Sequence, residues 1–271
     1  MTPVLRSRTR YPGPVNFDVR NCISWQTAFS GSWGPFSMTK SGAIPWIDCG
    51  DGTVIMYGDY HTFPDGSTKN IRMWSPDGWD GLTAINLAWG SNTGKLPRFP
   101  GCKNLNSIGL DNNTFTDGEW NYDELTALQS LTLQSNTAIG GFDASTQHWG
   151  LNTALQYLNL DGGNFSGTIP DFTNCTALTY CYYGGGGTTT DFVHGSFQTQ
   201  ANLYLIGFWN HNWATASIVN AMLHDCVVSL GLGSRVTCEL QLHGGSMAAP
   251  TGQGITDKAT LVSAGWTVYT N

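Results

Sequence analysis

The chain has 271 residues, of which 34 are glycine and 11 tryptophan, with 11% charged residues and a net charge of −7. That length buries a sizeable core, as one elongated domain or two compact ones, and the scarcity of charge excludes long charged helices in favour of a turn-rich, mainly β or solenoid chain. The acidic balance excludes a general nucleic-acid binder, which needs a basic stripe.

Residues 1–14 carry Arg6, Arg8 and Arg10 among Pro3, Pro12 and Pro14. The prolines keep this segment extended. Two readings stay open: a disordered tail, or an anchoring arm that docks on a partner subunit and orders there. No apolar h-region follows Met1, so a signal peptide is not expected. No run of about 18 apolar residues exists, so no membrane span or membrane insertion is expected. With Met1 as the natural start, the expectation is a chain made in a cytoplasm and not exported by the usual route.

Residues 15–80 read as a small antiparallel β-domain. Its expected strands are 15–20, 23–29, 35–39, 44–48, 54–57 and 70–74. Ser30-Gly31, Ser41-Gly42, Gly50-Asp51-Gly52 and Pro64-Asp65-Gly66 supply the turns. Trp46-Ile-Asp48-Cys-Gly50-Asp51-Gly52-Thr53, then His61-Thr-Phe63, then Asn70-Ile71-Arg-Met73, resembles the core of PKD-like β-sandwich domains, with Cys49 where that family places an aromatic. An Asp48, Asp51 and Asp59 calcium site is the alternative to turn chemistry. The spacing is not that of an EF-hand, and no metal or other cofactor is expected.

From Leu82 a repeat begins. Leu82-x-x-Ile85-x-Leu87 is followed by Leu105-x-x-Ile108-x-Leu110, Leu128-x-x-Leu131-x-Leu133, Leu155-x-x-Leu158-x-Leu160, Leu178-x-x-Cys181-x-Tyr183 and Leu203-x-x-Ile206-x-Phe208. The first positions step by 23, 23, 27, 23 and 25 residues, the spacing of leucine-rich turns that bury an apolar edge only by stacking on neighbours. Asn113 and Asn136 fall where an asparagine ladder would satisfy turn carbonyls. Gly163, Gly186 and His211 take that place later, so those turns read as degenerate.

Residues 214–226 carry Ile218, Val219, Met222, Leu223 and Cys226 at helical spacing. Glu239–Leu242 reads as a seventh strand, 256–263 as a short helix ending at Gly265, and Trp266 with Val268 as a final strand. The order helix, Leu240-x-Leu242-x-Gly-Gly, Ala248-Ala-Pro-Thr-Gly-Gln-Gly-Ile-Thr-Asp-Lys, Gly265-Trp-Thr-Val resembles the ending of leucine-rich-repeat proteins from bacterial cell surfaces and bacteriophage virions. The expected architecture is mainly β with short helices: an extended arm (1–14), a small PKD-like β-sandwich-like domain (15–80), and a leucine-rich-repeat solenoid (81–271) of about seven turns, with a C-terminal cap at about 246–271.

The seven cysteines are far apart, without metal spacing, and most are expected to be free thiols. Residues that alternate with the buried leucines form the concave face. The early turns place small polar groups there. The later ones place Tyr157, Asp161, Tyr180, Tyr182, Trp209 and His243, a combination suited to sugar rings or protein hot spots. The alternatives are a subunit contact or plain structure. His61, His148, His194, His211, His224 and His243 are scattered, and no nucleophile elbow or phosphate loop appears, so no enzyme is expected. The virion resemblance implies a tail-fibre, head-fibre or capsid-decoration subunit at the virion surface. It would be multimeric in assembly, anchored to other virion or surface subunits through arm and β-domain, and would meet a host glycan or protein. A secreted bacterial adhesin is the alternative, and a glycan-active enzyme a third.

Overall fold

The computed structural model describes residues 22–33, 36–117, 122, 124–136, 140–143, 148–184, 188–232 and 238–271. The arm with Arg6, Arg8 and Arg10, the expected strand at 15–20, and Gly186 lie outside those residues. The fold is mainly β, a β-solenoid with two helices among the described residues.

The N-terminal part contributes β1 (Ile23–Thr27), β2 (Gly31–Trp33), β3 (Ser37–Lys40), β4 (Trp46–Asp48), β5 (Val54–Met56), β6 (His61–Phe63) and β7 (Lys69–Trp74). After it come β8 (Leu82–Asn86), β9 (Asn92–Arg98), β10 (Ser107–Gly109), β11 (Thr114–Asp117), β12 (Ser130–Thr132), β13 (Gly140–Asp143), β14 (Tyr157–Asn159), β15 (Asn164–Ile169), β16 (Tyr180–Tyr182), β17 (Thr188–Phe192) and β18 (Leu205–Gly207). The chain ends with α1 (Ala216–Leu230), β19 (Glu239–Leu242), α2 (Gln253–Ser263) and β20 (Thr267–Thr270).

One nine-stranded sheet runs β20-β19-β18-β16-β14-β12-β10-β8-β3. From β8 to β20 every neighbour is parallel and in register. The leucine positions explain it: Leu82, Ile85 and Leu87 and their counterparts in each turn through Leu203, Ile206 and Phe208 are all buried. A second face is built from β13-β15-β17, with β11 pairing to β9. About four turns close as solenoid circuits, fewer than the seven expected. Beyond β18 the chain returns through α1 and beyond β19 through α2, so helices take the place of second-sheet strands while the long sheet continues.

The N-terminal strands do not stand apart. β1 lies between β7 and β9, and β3 pairs antiparallel with β8, so two sheets cross the expected boundary at 80/81 and one core runs through both parts. The Gly50 turn forms as its residues require: Asp48 Oδ1 accepts the Gly50 N–H at 2.9 Å and Asp51 Oδ1 the Thr53 N–H at 3.0 Å. Gly50 has φ 75°, and a Cβ there would lie 2.5 Å from Asn70 O. Asp51 Oδ2 meets His61 Nε2 at 2.7 Å.

Three rows repeat along the solenoid. The first is the ladder. Asn113 Nδ2 donates to Leu87 O and Leu110 O, and Asn136 Nδ2 to Leu110 O and Leu133 O, all within 3.0 Å. The first turn has its ladder asparagine at Asn92, two residues later than the repeat spacing predicts, with Nδ2 donating to Leu87 O at 2.8 Å. His211 corrects the expectation of a degenerate turn: its Nε2 donates to Tyr183 O, the same carbonyl position, so an imidazole replaces the amide. Gly163 does not replace it. A Cβ there would enter the buried Phe165 ring.

The second row is an aromatic column that the sequence reading missed. Phe99, Tyr122, Trp149, Phe172 and Phe197 each lie six residues before a repeat leucine and are buried. Ring centroids are 5.9 Å apart for Phe99–Tyr122, 6.0 Å for Trp149–Phe172 and 5.5 Å for Phe172–Phe197. The third row is a left-handed corner, occupied by Trp89, Asn112, Ser135, Gly162, Asn210 and Gly244, all with positive φ.

At the C-terminal end the buried stripe of α1 comprises Val219, Met222, Leu223 and Cys226, close to the expected one. α2 starts three residues earlier than expected. Gly265, with φ 91°, ends it, and Trp266 N–H bonds back to Leu261 O at 3.0 Å, tucking the indole into the core. The seven cysteines are all buried free thiols.

Candidate functional site

The candidate site lies on the outer face of the long sheet, between β14 and β18. Parallel pairing sets Tyr157 beside Tyr180, and Asn159 beside Tyr182, which pairs in turn with Gly207. Outward-facing side chains of adjacent strands stand about 4.8 Å apart, close enough for rings to touch. Tyr157 and Tyr180 have centroids 5.4 Å apart, and Tyr180 and Tyr204 5.3 Å. Tyr182 meets Trp209 edge-on at 5.5 Å and 79°.

Trp209 follows β18 by two residues, and its indole lies across two glycines. A Cβ on Gly184 would come 2.3 Å from Trp209 Cε2, and one on Gly207 would come 2.2 Å from its Cζ3 and 2.9 Å from Tyr182 Cδ1. Those glycines make the seat that holds the ring flat on the sheet. The result is a half-buried, preorganised aromatic surface, since each side chain is braced by its neighbours.

Asp161 stands at the edge of this surface. Its N–H donates to Asn159 Oδ1 at 3.0 Å. Burial pushes its carboxyl up from the ordinary value, against the hydrogen bonds from Gly162 and Gln134. Burial also pushes the Tyr182 hydroxyl up, reinforced by Tyr157, Glu239, Tyr180 and Asp161. Tyr182 therefore keeps its proton at neutral pH and acts as a donor. Asp111, on the same face, is engaged by Thr132 Oγ1 at 2.6 Å and Gln134 N at 2.8 Å.

Of the six residues expected on this face, Tyr157, Tyr180, Tyr182 and Trp209 come together with Asp161 beside them. His243 instead meets Tyr269 on β20, at 5.9 Å. Tyr204, 48% exposed, extends the tyrosine ladder and was missed, because it precedes its strand; its neighbour Leu205, which pairs with Tyr180, is buried. Among the described residues no group of three or more His, Cys, Asp or Glu could hold a metal ion, and no helix is long and apolar enough to cross a membrane.

Comparison of the chain with protein-family models gave no match, and comparison with curated proteins gave none.

Proposed function

We propose that this chain is a non-enzymatic structural and binding protein whose solenoid presents the Tyr157–Tyr180–Tyr204 ladder, Tyr182 and Trp209 to a glycan or protein on a host surface. The observation that carries the reading is the Trp209 seat: two glycines hold an aromatic ring half-exposed where any larger residue would remove it. A rigid aromatic face edged by Asp161 suits the apolar faces and hydroxyls of sugars, and equally an anchored protein side chain. Catalysis gains no support from the two carboxylates nearest the aromatic face, Asp161 and Glu239. Asp161 and Glu239 follow or lie on strands three sheet steps apart, roughly 14 Å at the usual strand spacing, too far to act on one glycosidic bond.

The finer reading is a leucine-rich-repeat virion component, a tail-fibre, head-fibre or capsid-decoration subunit, with a PKD-like N-terminal part and Arg6, Arg8 and Arg10 on an anchoring arm. Its support is the resemblance of the C-terminal ending and the low charge fraction. A secreted bacterial adhesin is the second reading, and the same aromatic face would serve it. The test is a glycan array and a host-cell binding assay with a Tyr182→Ala, Trp209→Ala double variant. A profile reduced about tenfold or more is expected for the loss of two aromatic contacts, and an unaltered profile discards the binding face. Deleting residues 1–14 should prevent incorporation into particles while leaving the solenoid folded; unchanged incorporation refutes the anchor.

A further inference from the structure

Trp89 occupies the left-handed corner of the first turn, with φ 60°. The corresponding corners carry Asn112, Ser135, Gly162, Asn210 and Gly244, small residues, mostly asparagine or glycine, which tolerate that backbone. A tryptophan has no such tolerance, and here it gains nothing from burial, being 76% exposed. Nor does the corner need it: the Trp89 N–H donates to Asp111 O at 3.0 Å, as Asn112 N–H does to Gln134 O at 2.8 Å. A residue that folding disfavours at a position folding does not require points to use elsewhere.

Trp89 forms part of the wall of a cavity of about 190 Å³ with Phe29, Ser32, Trp33, Phe36 and Asn92. The other walls are fixed. Trp33 and Phe36 have centroids 6.0 Å apart, and Phe36 is held edge-on by Trp25 at 5.4 Å. Asn92, 2% exposed, donates through Nδ2 to Leu87 O at 2.8 Å and to Asn113 Oδ1 at 3.0 Å, and its Oδ1 has no hydrogen-bond partner. None of the described lining residues is charged. The volume lies below the roughly 300 Å³ at which pockets for drug-sized ligands begin, so it has room for a single ring.

We propose that this cavity binds a neutral pyranose, one sugar residue of a glycan, with Trp89 as its stacking platform. A sugar ring offers apolar C–H faces to the aromatic walls and hydroxyls to the Ser32 hydroxyl beside them. An anionic sugar or a phosphate would find no cation there. A proline or phenylalanine ring would bring no hydroxyl for Ser32. The site is separate from the Tyr182–Trp209 face: β8 and β18 lie five strand steps apart in the sheet, roughly 24 Å.

Saturation-transfer NMR on the full chain, with the methyl glycosides of glucose, galactose, mannose and N-acetylglucosamine as probes, tests this. At least one glycoside should receive saturation. Trp89→Asn should weaken that binding about tenfold without lowering the unfolding temperature, because Asn112 and Asn210 already occupy this corner in other turns. The Tyr182→Ala, Trp209→Ala double variant removes the concave face, so transfer measured in that background reports this cavity alone, and adding Trp89→Asn there should produce the same loss of about tenfold. Absence of transfer in the double variant, transfer undiminished by Trp89→Asn in that background, or no transfer to any glycoside overturns the proposal. Capture of a phenylalanine- or proline-bearing peptide through Trp89 with no glycoside bound replaces the sugar by a protein partner, and overturns it equally.

Discussion

His211 Nε2 donates its proton to Tyr183 O inside the solenoid. A carbonyl can only accept, so the ring proton is on Nε2, and the neutral ring leaves Nδ1 to accept from Thr189 Oγ1. Trp213 stacks on the ring at 5.7 Å and 21°. The ring is fully buried, so a second proton there is cut off from solvent.

The first prediction follows from that pair. Burial pushes the His211 imidazole down from 6.5 to about 4, against the bond to Tyr183. The unfolded chain takes up this proton near 6.5 and the folded chain only near 4, so the unfolded state binds more protons between those values. Stability is therefore full above about pH 6.5 and falls as pH drops toward 4, by on the order of 3 kcal/mol. Urea unfolding at pH 7 and pH 4.5 should show this drop, and His211→Asn, which keeps a donor for Tyr183 O, should show a smaller one. Equal pH slopes in the two proteins would contradict it.

Asn113 serves Leu87 O, Leu110 O and, through Oδ1, the N–H of Asn92. Asn113→Ala leaves these buried groups unpaired and should cost on the order of 2–4 kcal/mol. Chemical denaturation of this variant beside Asn112→Ser, a change at a half-buried corner that Ser135 already fills in the next turn, measures the difference.

Phe172 lies between Trp149 and Phe197 in the aromatic column. Phe172→Ala opens a cavity there and should cost about 3–5 kcal/mol, with Phe172→Leu costing less. Because neighbouring turns support each other, hydrogen exchange should quicken first in the turns on either side.

Gly207→Ala places a methyl carbon 2.2 Å from Trp209 Cζ3. The indole must move by roughly 1.5 Å to reach ordinary contact. The tryptophan emission should change, and binding through the concave face should weaken as it does in Trp209→Ala, while the unfolding curve stays cooperative. An unchanged spectrum would show that the ring is not seated on the glycine.

Burial holds Cys49, Cys102 and Cys175 at about 12, against 9.0 for a free thiol. Thiolate fraction alone then slows a disulfide reagent at pH 8 by roughly a thousandfold in the folded protein. The seven thiols of the chain should react together on unfolding.

The leucine spacing was enough to place the parallel rungs, because each L-x-x-L-x-L segment has one way of burying its apolar side. The same alternation brought Tyr157, Tyr180, Tyr182 and Trp209 onto one face. What escaped the sequence was substitution by function. Phe, Tyr and Trp alternate in the aromatic column, an imidazole does the work of an amide at His211, and Asn92 reaches the ladder from two residues away. The join between β1 and β9 was hidden for another reason: Thr27 and Asn92 are partners with seven strands of sequence between them, and no local pattern announces such a pairing.

That join sets how the molecule carries load. β1 is an inner strand, hydrogen-bonded on one side to β7 and on the other to β9, antiparallel to both. A pull applied at Cys22 along the axis of β1 loads both ladders in shear, so they fail together rather than unzip bond by bond. Tension arriving from the N-terminal side is handed straight to the first solenoid turn.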